Sequence, residues 1–286
     1  MEHPKRLKGV DSGVRKAFGH GLCGLFLSGF LLLVLFVAVG CGQPALTLAI
    51  EQGNDTEVAR LISAGANVNQ HDFERNDTPL HAAAEKGAGD AAKLLLKAGA
   101  DTHAVGCCKD TPFTRALRRH QLDVAKILLE AEKPSDRKQV VDAALILVAS
   151  GDSCAMFADS GKAYETWLKD NAESVRFLIE RGADANVRST QGNTVLHVLA
   201  ASKVAYDVGY NQPLGRFPHR GSVKHSVITL PGNPYVATLL VEHGANVEAK
   251  NDAGRTPYEV AVAAGNPGIA AVLAKKHVPI RAGAAG

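Results

Sequence analysis

The sequence predicts an all-α protein, a solenoid of about six stacked helix-turn-helix units. One pattern of small and apolar residues recurs every 33 or 34 residues along most of the chain. Apolar residues make up 46% of the sequence but aromatic residues only 5%, which favours thin layers of small side chains over one large core. Thr-Pro pairs and glycines stand where helices would begin and end.

The clearest unit begins at residue 77. Thr78-Pro79-Leu80-His81 opens the first predicted helix, Gly87 ends it, and Gly99-Ala100-Asp101 follows the second helix. The same positions recur at Leu46, 34 residues earlier than Leu80, and at Phe113, 33 residues later. Continued along the chain, the pattern predicts units at residues 45–76, 77–109, 110–138, 139–188, 189–250 and 251–278.

This succession of Thr-Pro-Leu-His, Gly, paired Leu and Gly-Ala-Asp resembles the ankyrin repeat. The resemblance implies that each unit is a pair of helices, one inner and one outer, and that β-hairpin fingers join neighbouring units. It also implies that the histidines of the Leu-His position, His81 and His197, tie neighbouring units by hydrogen bonds and take no part in catalysis.

The recurring residues have mechanical roles. A Thr before Pro supplies an N-cap acceptor and a preset φ at the first helical position. Gly after the outer helix adopts the left-handed conformation that other residues resist. Because no unit buries its own apolar face, stability comes from stacking, and terminal units are expected to have polar outer faces.

Two inserts interrupt the pattern. Residues 151–171 lengthen the fourth unit and residues 202–234 lengthen the fifth, each between the inner and the outer helix. Residues 131–136 replace the Gly-Ala-Asp turn between the third and fourth units, which predicts a shortened finger.

The first 40 residues have the composition of a secretory signal, with a basic stretch followed by an apolar run at residues 22–39. The small residues before Cys41 resemble the lipobox of bacterial lipoproteins, which implies cleavage and lipidation at Cys41, with a linker at residues 41–44. An uncleaved membrane span is the alternative. Either way the basic residues stay cytoplasmic and the rest is exported. Gly42 implies outer-membrane sorting on the periplasmic side of a double-membrane bacterium. Residues 279–286 are a C-terminal tail.

The charge of the chain argues against nucleic acid as a partner. The net charge of +3 lies entirely in residues 1–40, because the remainder carries 27 basic and 27 acidic residues. The Asp and Glu residues are scattered, and we expect most of them to be exposed. Neither a catalytic motif nor a set of metal ligands is visible, so the sequence predicts a non-enzymatic protein without a cofactor or a metal.

In the ankyrin family, partners contact the tips of the fingers and the inner-helix face. Carried over, this places the fingertips at residues 71–76, 103–109, 188–191 and 249–253, named fingers 1 to 4. The predicted partner-binding residues are those of the fingers and of the basic, aromatic second insert: Phe73, Glu74, Arg75, His103, Arg188, Tyr206, Tyr210, Arg216 and Phe217. The alternatives are that Phe73 folds onto its own finger and that the second insert is a surface decoration.

Three cysteines besides Cys41 follow the leader. In an oxidising compartment, one disulfide could join two of them and leave one thiol over, from the set Cys107, Cys108 and Cys154.

These observations predict a monomeric, membrane-anchored exported protein that binds another protein. It would act as an inhibitor or immunity protein, or as an envelope adaptor. The alternatives are a structural spacer at the cell envelope and an enzyme whose site is built by the inserts. A binder should carry a concentrated apolar or charged patch on its inner-helix face, and a spacer should not.

Overall fold

A computed structural model describes residues 44–73, 75–106, 109–150, 164–207 and 227–276. In these ranges the helices form consecutive pairs. Inner helices are α1 (Ala45–Glu51), α3 (Pro79–Lys86), α5 (Pro112–Arg118), α7 (Arg137–Ala149), α9 (Val195–Ala201) and α11 (Pro257–Ala263). Outer helices are α2 (Asp55–Ser63), α4 (Gly89–Lys97), α6 (Leu122–Ala131), α8 (Tyr164–Glu180), α10 (Pro234–Glu242) and α12 (Pro267–Lys276).

The inner helices begin where the Thr-Pro pairs predict. Thr111 Oγ1 accepts a hydrogen bond from the Thr114 amide at 3.4 Å, and Thr256 Oγ1 accepts one from the Glu259 amide at 3.3 Å. Two outer helices use asparagine in the same role: Asn54 Oδ1 accepts from Glu57 N at 3.1 Å at the start of α2, and Asn233 Oδ1 accepts from Tyr235 N at 3.0 Å at the start of α10. Each cap satisfies an amide that has no partner within its helix.

The buried histidines join neighbouring units, as the resemblance implies. His81 Nε2 lies 3.2 Å from the carbonyl oxygen of Asp110, and Thr78 N donates to His81 Nδ1 at 3.2 Å. Because a carbonyl oxygen only accepts, Nε2 must carry the proton, which fixes the neutral tautomer. Burial lowers the pKa of His81 below its ordinary value and keeps the ring neutral. His197 repeats the arrangement with the Arg255 carbonyl at 2.8 Å.

The core is a series of layers between successive units. In the second unit Leu80, Ala83 and Ala84 of α3 and Ala92 and Leu95 of α4 are fully buried. Helix α3 packs against α5, α5 against α7, and α9 against α7 and α11. Alanine at the contact lets the inner helices approach closely, and each buried leucine contributes about 2 kcal/mol.

The inserts add regular structure that the all-α prediction lacks. In the second insert, strands β1 (Lys203–Asp207) and β2 (Val227–Pro231) pair antiparallel, with Lys203 opposite Pro231 and Asp207 opposite Val227. Their β-branched residues favour a strand over a helix. In the first insert, α8 begins at Tyr164, so the end of that insert lengthens the outer helix of the fourth unit.

The fingers differ from the predicted β-hairpins. Among the described residues, the bridge between Arg188 and Thr194 is the one isolated strand pair. Backbone hydrogen bonds close fingers 1 and 2 at their bases, from Asp72 N to Asp77 O and from Gly106 N to Asp110 O, both at 2.9 Å, and Lys109 N also donates to Gly106 O at 3.1 Å. Asn76 and Lys109 have positive φ, which turns the chain at these two fingers. The joint between the third and fourth units is short, as predicted, because α7 begins six residues after α6 ends.

The expectation of polar outer faces is wrong for the last unit. Tyr258 and Val262 occupy the positions of the buried Leu80 and Ala84, yet their exposed fractions are 37% and 56%. The last unit keeps the apolar residues that other units use for stacking, and no following unit among the described residues covers them.

Several predictions lie outside the described residues. These are the leader, the lipidation site, the tail, and the side chains of residues Cys41, Glu74, Cys107, Cys108, Cys154, Tyr206, Tyr210, Arg216 and Phe217. Of Tyr206 only the backbone, in β1, is described. No described helix is long and apolar enough to cross a bilayer.

Gly99 follows the outer helix α4 of the second unit and has a φ of +86°. We expect Gly99→Ala to lower the free energy of unfolding of the full chain by about 1–2 kcal/mol, because alanine is strained in the left-handed region. The control is Gly268→Ala. Gly268 lies in helix α12, and a β-carbon added there would have Pro234 Cβ as its nearest neighbour, at 3.9 Å. It should be neutral or stabilising by up to about 1 kcal/mol. Chemical denaturation followed by circular dichroism measures both, and equal effects would contradict the assignment of strain.

Candidate partner-binding surface

Finger 1 presents an exposed aromatic side chain. Phe73 is 90% exposed, so it does not fold onto its own finger. The buried Asp72 shapes this turn, because its Oδ1 accepts from Arg75 N at 2.6 Å while its amide donates to the Asp77 carbonyl. The fold holds the phenyl ring in solvent.

Finger 2 lies beside finger 1. Asn76 Nδ2 donates to the carbonyl oxygen of Val105 at 3.3 Å, and Val105 is 52% exposed. His103 is held nearby, with its amide bonded to Asp101 Oδ1 at 2.8 Å and its Nε2 lying 3.2 Å from Glu132 Oε2. Two adjacent fingertips therefore expose apolar side chains.

Behind these fingers lies a network of ion pairs, here called the arginine cluster. It joins finger 1 and the inner helices of the second and third units, and comprises Arg75, Asp77, Glu85, Asp110, Arg115, Arg118 and Arg119.

Arg115 is the centre of the arginine cluster. Its Nε donates to Asp110 Oδ2 at 2.6 Å and its Nη2 to Asp110 Oδ1 at 3.0 Å. Its Nη1 and Nη2 donate to the two carboxylate oxygens of Asp77, at 3.0 and 3.1 Å. Nη1 also donates to Glu85 Oε2 at 2.9 Å. One guanidinium therefore fixes the bases of both fingers to α3 and α5.

Arg115 and Glu85 keep their charges although burial opposes them. Burial opposes the charge of Arg115, but hydrogen bonds to Asp110 and Asp77 outweigh this effect and raise the pKa of Arg115. Burial likewise opposes the charge of Glu85, but Arg119, Arg115 and Arg75 lower the pKa of Glu85 below its ordinary value.

The backbone leaves space for this arrangement. Arg115 stands 33 residues after Ala82, so it occupies the inner-helix position that holds a small residue in the second unit. A β-carbon at Gly106 would collide with Asp77 Oδ1 and would lie 3.2 Å from Asp110 Oδ1. Glycine at this point of finger 2 lets the two carboxylates approach Arg115 together.

The predicted partner-binding residues separate into two places. Phe73, Arg75 and His103 lie on the adjacent fingers 1 and 2. Arg188 lies on finger 3, where its Nη1 donates to the carbonyl oxygens of Gly192 at 2.9 Å and Lys250 at 3.0 Å. That guanidinium connects finger 3 to finger 4.

Sequence reasoning missed Val105 and the inner members of the cluster. The expectation that acidic residues are mostly exposed is wrong for Asp72, Asp77 and Asp110, which are buried. One signal was present, because Arg115 occupies the position of Ala82 and an Asp precedes Thr-Pro in both units. A long cation at a small-residue position indicates a partner in the adjacent unit.

Three equivalent positions of the inner helices differ in charge between units. The residues that align with Ala82, Glu85 and Lys86 are uncharged in the last two units: Val198, Ala201 and Ser202 of the fifth unit, and Val260, Ala263 and Ala264 of the sixth. In the third unit the same positions are Arg115, Arg118 and Arg119. At these positions the charged residues therefore lie in the second and third units, beside the exposed tips of fingers 1 and 2. Within the described ranges, no group of three or more His, Cys, Asp or Glu residues could hold a metal ion.

We expect Arg115→Ala to destabilise the full chain by about 3–5 kcal/mol, because it leaves Asp77 and Asp110 buried without their counter-charge. Lys93→Ala is the control, since it removes an exposed pair with Asp90 that contributes less than about 1 kcal/mol. Urea denaturation measures both. A loss below about 1 kcal/mol for Arg115→Ala would mean that water reaches the cluster.

Comparisons with known proteins agree with the fold. Residues 27–106 and 46–142 match the family model described as ankyrin repeats (3 copies). A putative ankyrin repeat protein of Rickettsia felis is 34% identical over 98 residues, which span 34% of this chain and 33% of that protein. A putative ankyrin repeat-containing protein of Treponema pallidum is 36% identical over 89 residues, which span 31% of this chain and 30% of that protein. Each match spans a third or less of the relative's length.

A solved structure is similar over most of the chain. The ankyrin repeat domain from Acinetobacter baumannii has a TM-score of 0.50 and 21% identity, covering 81% of this chain and 96% of that one. At this identity the similarity shows the fold alone. The family model and the relatives support the ankyrin-repeat family for this chain, and its helix pairs have the ankyrin-repeat fold.

Proposed function

We propose that this chain is an exported, membrane-anchored ankyrin-repeat protein that binds one protein partner. The binding surface consists of the tips of fingers 1 and 2 and the exposed edge of the arginine cluster. The observation that carries the proposal is Phe73, a phenyl ring 90% exposed on a finger whose backbone is held by hydrogen bonds.

An exposed phenyl ring beside arginine is typical of the anchor of a protein interface. Burial of a Phe side chain contributes about 1.5–3 kcal/mol, and aromatic residues and arginine are enriched where interfaces are strongest. The Asp72 and Asn76 hydrogen bonds hold the finger in place before a partner arrives. Little conformational entropy would therefore be lost on binding.

The arginine cluster, which lies beside exposed apolar fingertips, favours a binder over a spacer. A spacer has no need of such a patch, whereas a binder requires a surface that differs from the rest. An enzymatic role is less well supported. The cluster consists of guanidinium and carboxylate groups bonded to one another, an arrangement that fixes charge without supplying a nucleophile. The same surface would serve this chain as an inhibitor, an immunity protein or an envelope adaptor. These roles differ in which partner is bound and not in how it is contacted.

The basic start, the apolar run at residues 22–39 and Cys41 support the membrane anchor. Expressed in a lipoprotein-processing bacterium, the chain should take up an alkyne-labelled fatty acid and lose the mass of its leader. Cys41→Ser should take up no label. Cys23→Ser, which changes a cysteine inside the apolar run, is the matched control and should be labelled normally. An unlabelled, full-length membrane protein would instead indicate an uncleaved span.

Phe73→Ala tests the binding surface. With the full chain as bait in its native envelope, we expect one partner at a fixed stoichiometry. The affinity should fall about 10- to 150-fold in the variant, which corresponds to the loss of about 1.5–3 kcal/mol of apolar burial. Tyr235→Ala is the matched control, since Tyr235 is an aromatic residue, 45% exposed, on the outer helix α10. Equal capture by Phe73→Ala and the unaltered chain would exclude finger 1 as the anchor.

A further inference from the structure

We infer that the partner presents a carboxylate to Arg75, next to an apolar side chain that contacts Phe73. This inference rests on the proposed function, since it specifies the chemistry of a partner bound at the same surface. The recognised feature is an acidic residue adjacent to an apolar residue in an exposed protein segment.

The first step is the difference in exposure within the arginine cluster. The carboxylates of Asp77 and Asp110 have side chains only 7% and 1% exposed, and Arg115 is 6% exposed. The Arg75 side chain is 45% exposed and that of Arg119 is 22% exposed. Glu85, the most exposed carboxylate among these ion pairs, has a side chain 21% exposed, so an approaching partner meets the Arg75 guanidinium first, with Asp77 and Asp110 beneath the surface.

The second step is the hydrogen bonding of Arg75. Its one ion pair among the described residues is with Glu85, where Nη1 and Oε2 lie 3.7 Å apart, too far for a hydrogen bond. A guanidinium has five N–H donors in a planar fork that matches a carboxylate. Arg75 thus has donors available at the surface, in contrast to Arg115.

The third step is the role of Glu85. Its carboxylate lies between three guanidinium groups, with Oε1 2.9 Å from Arg119 Nη2 and Oε2 2.9 Å from Arg115 Nη1. Arg75 and Arg119 therefore lie near the same carboxylate, Arg119 at Oε1 and Arg75 at Oε2. A partner carboxylate at the outer edge of Arg75 would occupy the solvent side of this pair and form charge-assisted hydrogen bonds without displacing a buried group.

The fourth step is the position of Phe73. It lies two residues before Arg75, on a finger that Asn76 ties to Val105. Apolar and cationic contacts are therefore presented close together. A segment with adjacent acidic and apolar residues satisfies both, whereas a basic segment would meet Arg75 with like charge.

The test uses three fluorescent octapeptides that alternate leucine with aspartate, asparagine or lysine, and the full chain in nanodiscs of phosphatidylcholine. Anisotropy at 50 mM salt should give at least tenfold tighter binding of the aspartate peptide than of the asparagine peptide, and a smaller ratio at 200 mM salt. In the Arg75→Gln variant the aspartate and asparagine peptides should bind with equal affinity. Arg60→Gln, which removes an exposed arginine of α2 paired with Glu57, is the matched control and should preserve it.

The remaining outcomes separate this inference from the proposed function. Phe73→Ala should weaken binding of the aspartate and asparagine peptides alike and leave their ratio unchanged. Preference for the lysine peptide, equal binding of all three, or no binding of any would overturn the acidic partner. A fourth octapeptide, which alternates leucine with phosphoserine, would also overturn it by binding more tightly than the aspartate peptide. In each of these cases, capture of a native partner that still depends on Phe73 would leave the proposed function standing.

Discussion

The contact on which fingers 1 and 2 depend is that of Arg115 with two buried carboxylates. Removing a charge from water costs several kcal/mol per ion, so this contact persists only because the Arg115 guanidinium is bonded to Asp77, Asp110 and Glu85 together. An ion pair of this kind adds little net stability compared with apolar packing. It does specify geometry, because the planar guanidinium donates hydrogen bonds in few directions. The relative position of the two fingers follows from that geometry.

The repeat makes such a contact possible. Stacked units place equivalent positions of successive inner helices side by side, so a residue on α5 meets the base of the preceding finger. Where that position is apolar, as at Val260 of the sixth unit, the joint with the preceding unit has the buried histidine contact, here between His197 and the Arg255 carbonyl, and no arginine at the equivalent position. Between the second and third units, Arg115 at this position adds ion pairs to the corresponding contact of His81. The proposed binding surface lies where the repeat departs from its own pattern.

Much of the helical fold could be predicted from local signals. Thr-Pro pairs, glycines with positive φ and paired leucines act within one unit, so their spacing is sufficient to place the inner and outer helices. The arginine cluster could not be predicted in this way, because Arg115 and Asp77 are 38 residues apart and meet only through the offset between units. The strands β1 and β2 were missed for a similar reason. Their pairing joins segments separated by a long stretch of sequence, and no local pattern marks that register.

Burial decides what each arginine of the cluster can do. The N–H groups of Arg115 donate to carboxylates inside the protein. Arg115 therefore orders the fingers but does not contact a partner. Arg75 lies on the exposed finger with one long contact to Glu85, and so it retains donors for a group outside the chain. The two roles are coupled, since Glu85 contacts both guanidinium groups and the buried ion pairs hold it in place. In the proposed mode of binding, the stability of the fingers and the recognition of a partner therefore depend on different arginines of one network, Arg115 and Arg75.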